Sequence, residues 1–332
     1  MQSLFLSSAA IGITAFAVSC FTVSRMISYA LQLNIVDAPN TTLKTQKAPV
    51  PYLGGLGVFL ALIATLLVFK ALTVKIAWIL AGGFVLMAVG LFDDLYVISP
   101  SQKFLGQFGA VLLFMFGGIT LKAEFFSSAI TAPVAMFWML SVINAFNLID
   151  VMDGLASSVA LAALTSFFVI ASMQGLTTIC FLIAALMGGL LGFLVYNKKP
   201  ARIYLGDSGS LFIGGILSAI PFFISWSERS QLGILAPILI LGVPLAEVVA
   251  LIIIRSYLKI PFYNGSPHHF SILLRQQGWG WKTIIAFSCC AGLSLGVMAL
   301  FLIQGALSLP VFAALLSLGS VAWVVLIYRK II

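Results

Sequence analysis

Apolar residues run along this chain in continuous stretches of membrane-spanning length, joined by short polar connections. They lack the alternation of a lipid-facing strand, so the runs predict helices. At about 20 residues per span, the chain holds roughly eleven such runs (10 to 11). The first runs from about Leu4 to Met26, the second from Gly54 to near Phe69, and the third stops abruptly at Asp93-Asp94. A fourth returns towards Glu124, and a fifth, from about Ala129, ends in Asn144-Ala-Phe-Asn147-Leu-Ile-Asp150-Val-Met-Asp153-Gly154. Six and seven form a hairpin around Met173 to Gly175, and an eighth leaves from Leu211. The ninth carries Glu247, and two more follow the loop from Ser256 to Lys282.

The pattern thus predicts an all-α integral membrane protein, a polytopic bundle without a separable soluble domain or internal repeat. It reads as one membrane-embedded domain over 1–332, with active-site loops at about 32–52, 93–103, 144–154, 197–210 and 256–282. The 32–52 loop, with three prolines and no periodicity, reads as irregular. Gly54, Gly55 and Gly57 read as small residues for close helix packing rather than a phosphate cradle. The opening run lacks a basic n-region and exceeds a signal peptide in length, so it reads as a retained first span.

Composition agrees: 62% of the residues are hydrophobic, 8% are charged, and mean hydropathy is +1.17, which excludes a water-soluble globular domain. The net charge of +8 could suggest a nucleic-acid partner, but its distribution argues for none. With the N-terminus outside, thirteen of the seventeen Lys and Arg fall in inner loops, and Lys70, Lys75, Lys122 and Arg229 stay outside. This satisfies the positive-inside rule and places the C-terminus in the cytoplasm. The four cysteines, Cys20, Cys180, Cys289 and Cys290, lie in apolar runs and read as packing residues.

The same topology sorts the nine acidic residues. Asp37, Asp93, Asp94, Asp150, Asp153 and Asp207 map to the inner face, Glu124 and Glu228 to the outer, and Glu247 within a span. Any single Asp there can be a helix cap or a partner for a Lys. Five of the six, at helix ends or just beyond, together suit a hard cation such as Mg2+, which binds through one or two carboxylates and the phosphates of its substrate. Lys44, Lys198, Lys199 and Arg202 can contact phosphate oxygens, or simply set topology and meet anionic headgroups. Asn144 and Asn147 need polar partners in an apolar run, either a nucleotide edge or neighbouring backbone. Adjacent helical residues do not share a face, so His268 and His269 do not read as a joint metal site. Either can handle protons, bind phosphate or hydrogen-bond backbone. Glu247 reads as a buried polar link between helices.

Three ordered motifs carry a resemblance over nearly the full chain. Asp93-Asp94 after an apolar helix, Asn-Ala-Phe-Asn147-Leu-Ile-Asp150-x-x-Asp153-Gly-Leu, and Tyr-Asn197-x-x-Pro-Ala-x-Ile-Tyr204-Leu-Gly206-Asp207-x-Gly-Ser-Leu resemble the polyprenyl-phosphate N-acetylhexosamine-1-phosphate transferases. Asp37-x-Pro-Asn and Pro51-x-x-Gly54-Gly55 resemble that family's first loop. The resemblance implies transfer of a sugar 1-phosphate from a UDP-N-acetylhexosamine to undecaprenyl phosphate, with release of UMP, at the bacterial inner membrane and with the active site facing the cytoplasm. It implies Mg2+, with Mn2+ as a substitute, at Asp207. Asp93 and Asp94 would be a catalytic pair, one activating the lipid phosphate, and Lys44 would contact the diphosphate or uridine. Asn147, Asp150, Asp153, Asn197 and Tyr204 fall at nucleotide-binding positions, and His268 and His269 at the catalytic last loop. A homodimer is compatible with this reading.

Gln46 stands where the family commonly has His, no Gly follows Asp150, and the last-loop histidine signature is reduced to Ser266-Pro267-His268-His269-Phe270. The reduced loop favours the WecA/TagO-like branch, which handles UDP-GlcNAc or a related sugar, over the phospho-N-acetylmuramoyl-pentapeptide transferases. Two further alternatives are a degenerate, non-catalytic member and a polytopic transporter. Transport sites, however, lie near the bilayer midplane in repeated halves.

Overall fold

A computed structural model describes residues 2–37, 49–121, 127–261 and 266–328. The chain divides into two compact units, 1–224 and 225–332. In the first unit, α1 (Gln2–Gln32) leads to a minimal antiparallel ladder, β1 (Val36–Asp37) with β2 (Val50–Pro51), followed by α2 (Gly54–Val68), α3 (Val74–Tyr96) and α4 (Pro100–Phe116). Then come α5 (Ser128–Ile149), α6 (Leu155–Met173), α7 (Thr177–Asn197) and α8 (Gly206–Ala219). The second unit holds α9 (Ala236–Ile240), α10 (Gly242–Tyr257), α11 (Phe270–Gln276), α12 (Trp281–Ile303) and α13 (Leu309–Tyr328).

The ladder is a departure from the irregular loop expected at 32–52. Val36 pairs with Pro51 and Asp37 with Val50, joining the loop's two described ends. The pairing suits β-branched Val36 and Val50, and a proline is tolerated where a strand is only an edge.

Among the described residues, eight helices are long and apolar enough to cross a membrane, and α9 with α10, bent by 75° at its break, would make nine. The all-α membrane reading therefore stands. Within the first unit α8 is the hub: it packs on α3 and α5, and also meets α2. Every residue from Ser208 to Ala219 is buried. Two glycines make this close approach possible, since a Cβ on Gly55 would lie 2.3 Å from Gly209 Cα. The glycines opening α2 are thus packing surfaces.

Candidate active site

The end of α3 and the start of α4 set the centre of the site. Val97 takes a left-handed conformation (φ 51°) that stops α3, and Ser99 then starts α4 with a reciprocal capping box to Gln102 and Pro100 in the first turn. This tight turn brings Lys103 back over the last turn of α3. Its Nζ lies 2.8 Å from Asp93 Oδ2, donates to Asn147 Oδ1 at 3.1 Å, and donates to Asp207 Oδ2 in a close ion pair. Oxygens from α3, α5 and α8 therefore converge on one ammonium.

The supporting bonds hold those oxygens in place. Asp93 Oδ1 accepts the Ile98 backbone N–H at 3.0 Å, and Asn147 Nδ2 donates to Asp207 Oδ1 at 2.7 Å and to Ser210 Oγ at 3.0 Å. Lys103 and Asp93 are largely buried, but 33% of the Asp207 side-chain surface is open, so a ligand can reach it.

Asp94 faces elsewhere, because successive helical residues are turned by roughly 100°. It accepts the backbone N–H groups of Asp207 and Ser208, at 3.0 and 3.2 Å, at the start of α8. The two residues expected to act as a pair thus have different partners.

The remaining candidates line the same end of these helices. Asp150 ends α5 and keeps part of its surface accessible. Burial, then the charges of Asp207, Asp94 and Asp153, push its carboxyl well above the ordinary range. Burial also raises Asp153, although the Ala201 N–H, at 3.3 Å from Oδ2, favours its charged form. Tyr204 is pushed up to about 12 by burial and by the charges of Asp153 and Asp37. Its backbone N–H donates to Pro51 O at 2.7 Å, and its carbonyl accepts from Gly54 at 3.0 Å. Tyr52 donates to Asp37 Oδ1 at 3.1 Å, so the first-loop ladder is tied to this end as well.

Asn197 is buried and used internally: Oδ1 accepts the Gly154 N–H and Nδ2 donates to Ile203 O, both at 2.7 Å. It braces the turns around Gly154 and Ile203. Asn144 exchanges amide bonds with Gln107 at 2.8 and 3.3 Å and donates to Leu140 O at 2.8 Å. Its partner is a side chain, with backbone in support. Lys44 lies outside the described residues.

The residue that sequence reasoning missed is Lys103, taken there only as a topology-setting charge. Its signal was its place in the first turn of a helix opened by Ser99-Pro100 just after Asp93-Asp94, where a lysine folds back on the acids.

The second unit contains a different cluster. Glu247 of α10 is fully buried, with Oε1 2.9 Å from His269 Nδ1. Both its oxygens accept the Phe270 N–H, at 3.2 and 3.3 Å, and Tyr328 donates to Oε2 at 3.5 Å. His269 is buried in this link, whereas His268 has partial exposure and its Nδ1 finds no partner among the described residues. Arg255 Nε donates to Ser266 Oγ at 3.0 Å, steadying the approach to the histidines.

Comparison with known proteins agrees with the motifs. Residues 76–225 match the family model described as glycosyl transferase family 4. The chain is 30% identical over 315 residues to a "Probable undecaprenyl-phosphate N-acetylglucosaminyl 1-phosphate transferase" of Bacillus subtilis (strain 168), covering 90% of this chain and 87% of that one. It is 33% identical over 256 residues to a "Phospho-N-acetylmuramoyl-pentapeptide-transferase" of Streptococcus pneumoniae (strain CGSP14), covering 68% of this chain and 75% of the relative. A protein of the same description from Listeria innocua is 28% identical over 307 residues, covering 82% and 91%. The chain belongs to the polyprenyl-phosphate N-acetylhexosamine-1-phosphate transferase superfamily, glycosyl transferase family 4.

Proposed function

We propose that this protein transfers GlcNAc 1-phosphate, or a closely related N-acetylhexosamine 1-phosphate, from its UDP-sugar to undecaprenyl phosphate. An oxygen of the lipid phosphate attacks the sugar-bearing phosphorus, the bond to the uridine-side phosphate breaks, and UMP leaves. The observation that carries this reading is the convergence of Asp93, Asn147 and Asp207 on Lys103 at the end of an apolar helical bundle. Such a site lets a lipid acceptor arrive from the bilayer and a nucleotide from water.

The donor set fits Mg2+. Among the described residues no group of three or more His, Cys, Asp or Glu side chains is arranged to hold a metal. Mg2+, however, binds through one or two carboxylates together with substrate phosphates. Asp207 and Asn147 would hold it, with Mn2+ as a substitute, and Asp93 stands beside them. When bound, the metal would neutralise diphosphate charge. Lys103 gives the same phosphates a charge-assisted donor. Asp93, fixed by Ile98 and Lys103, accepts the remaining acidic proton of the acceptor phosphate. Asp150, Asp153 and Tyr204 surround the nucleotide, Asn197 braces their loops, Lys44 contacts the diphosphate, and His268 serves the last loop while His269 anchors it.

We place the N-terminus outside, the C-terminus and the site in the cytoplasm, and the chain in the bacterial inner membrane. Counting α2, α4 and the bent α9–α10 pair as spans brings the total to eleven. Cysteine-labelling of loop positions from either side of sealed vesicles tests this orientation.

Purified enzyme with Mg2+, UDP-GlcNAc and undecaprenyl phosphate should release UMP, and D207N and D93N should not. Wild-type activity in both variants would sink the site assignment. The pneumococcal and listerial relatives favour a second reading, in which UDP-MurNAc-pentapeptide is the donor. A clear preference for that donor would replace GlcNAc in the assignment.

A further inference from the structure

The neighbouring carboxylates of α3 divide their work. We infer that Asp94 is a positioning residue, the clamp that fixes the start of α8 and hence the place of the Asp207 side chain, and that it does not activate the acceptor phosphate. The inference rests on the proposed transferase reading for its functional consequence, but its structural half stands apart from it.

Three observations carry it. Asp94 spends both oxygens on α8: Oδ1 accepts the Asp207 N–H at 3.0 Å and Oδ2 the Ser208 N–H at 3.2 Å. These N–H groups belong to the first turn, where a helix has no internal acceptors for them, and where the helix dipole favours a negative charge. A carboxylate from another helix thus does what the residue before α8 does not, since Leu205 makes no side-chain cap bond.

Gly90, one turn earlier on α3, provides the second observation. A Cβ there would lie 2.3 Å from both the Asp207 carbonyl carbon and the Ser208 nitrogen, so the α3 backbone rests directly against the clamped peptide. The third is Gly206, which has φ +73° and whose Cβ would lie 2.6 Å from Asp94 Oδ2 and 2.8 Å from Tyr52 O. Only a glycine takes that conformation cheaply, and only the missing side chain leaves room for the carboxylate. Asp93, in contrast, points at Lys103 and is continuous with Asp207 and Asn147 through it. Proton acceptance therefore falls to Asp93, and geometry to Asp94.

The roles separate by substitution, because an N-terminal cap acts mainly through its acceptor oxygen, the charge adding less. D94N keeps one carbonyl oxygen for α8, whereas D94A keeps none. We expect D94A to weaken Mn2+ binding in the presence of UDP-GlcNAc, with no lipid acceptor added, by about tenfold, a misplaced ligand costing on the order of 1.4 kcal/mol. D94N should recover most of that affinity. Hydrogen exchange of the amides from Asp207 to Leu211 should accelerate in D94A and stay near wild type in D94N, in metal-free protein.

If Asp94 instead activates the acceptor, D94N and D94A lose turnover equally while Mn2+ binding and amide exchange stay at wild-type values, and the inference is overturned. Should D94A not fold, D94N against D93N decides: the clamp requires D94N to keep at least about tenfold more turnover than D93N. Failure of wild-type protein to release UMP would count against the transferase reading alone, since the exchange measurement reads the clamp without substrate.

Discussion

Two acidic clusters, one in each unit, use their carboxylates in opposite ways. Around Lys103, three oxygens from three helices share a single ammonium, and one of the carboxylates involved, Asp207, remains a third open. Around Glu247, one fully buried carboxylate is surrounded by His269, the Phe270 N–H and Tyr328. The first cluster has charge to share with a ligand, and the second has its hydrogen-bonding capacity taken up by the fold. On the proposed reading, the carboxylate that a ligand can reach serves chemistry, and the one enclosed by its own partners serves architecture.

The contrast predicts different losses. Removing the ammonium with K103M should lower turnover most, by about 10³-fold in kcat/KM, as with other charge-stabilising groups at phosphoryl transfer, while K103R keeps part of it. Steady-state UMP release checks this, and an unimpaired K103M would return Lys103 to a topology role. Next comes G90A. Its methyl group must push the Asp207–Ser208 peptide away, and a displacement near 1 Å should cost about 10²-fold in turnover with modest change in thermal stability.

E247A should reverse that pattern. Leaving the Phe270 N–H and His269 without their acceptor costs about 3 kcal/mol of stability, read from thermal unfolding in detergent, and E247Q should cost less because it keeps an acceptor. Equal losses in both variants would mean that the charge itself, and not the hydrogen bonding, holds the cluster.

The smallest effect concerns Asp150, whose carboxyl is raised by burial and by Asp207, Asp94 and Asp153. The folded state therefore holds that proton more tightly than the unfolded chain. The associated stability is complete below about pH 4 and is lost as pH rises through the raised folded value. D150N has no such loss, so its thermal midpoint should gain on wild type as pH rises above about 4. A shrinking difference with pH would show that Asp150 is stabilised as an anion.

The membrane-helical class was legible because continuous apolar runs leave few alternatives, and the aspartates were legible because an apolar run makes every acid conspicuous. Among the described residues eight helices are long and apolar enough to span, whereas α2, with fifteen residues, and α4, with seventeen, are shorter than the runs that suggested them. Helix ends are set by turns such as Val97 and Gly206, not by hydropathy. Lys103 escaped notice because its meaning depends on a fold-back that a linear reading sees only as a positive charge. Asn197 looked like a nucleotide ligand because its motif carried it, but burial gave its amide two backbone partners. That Asp93 and Asp94 face apart follows from helix geometry, but what Asp94 binds could not be read at all, since it depends on where α8 arrives, 113 residues later.

That distance has a consequence for how the protein is made. A chain synthesised from its N-terminus completes α3 long before the start of α8 exists, so Asp94 waits without its amides and Lys103 without Asp207. The centre is the last part of the first unit to close, and a nascent chain halted before Gly206 holds nearly all of that unit's helices and none of its finished site.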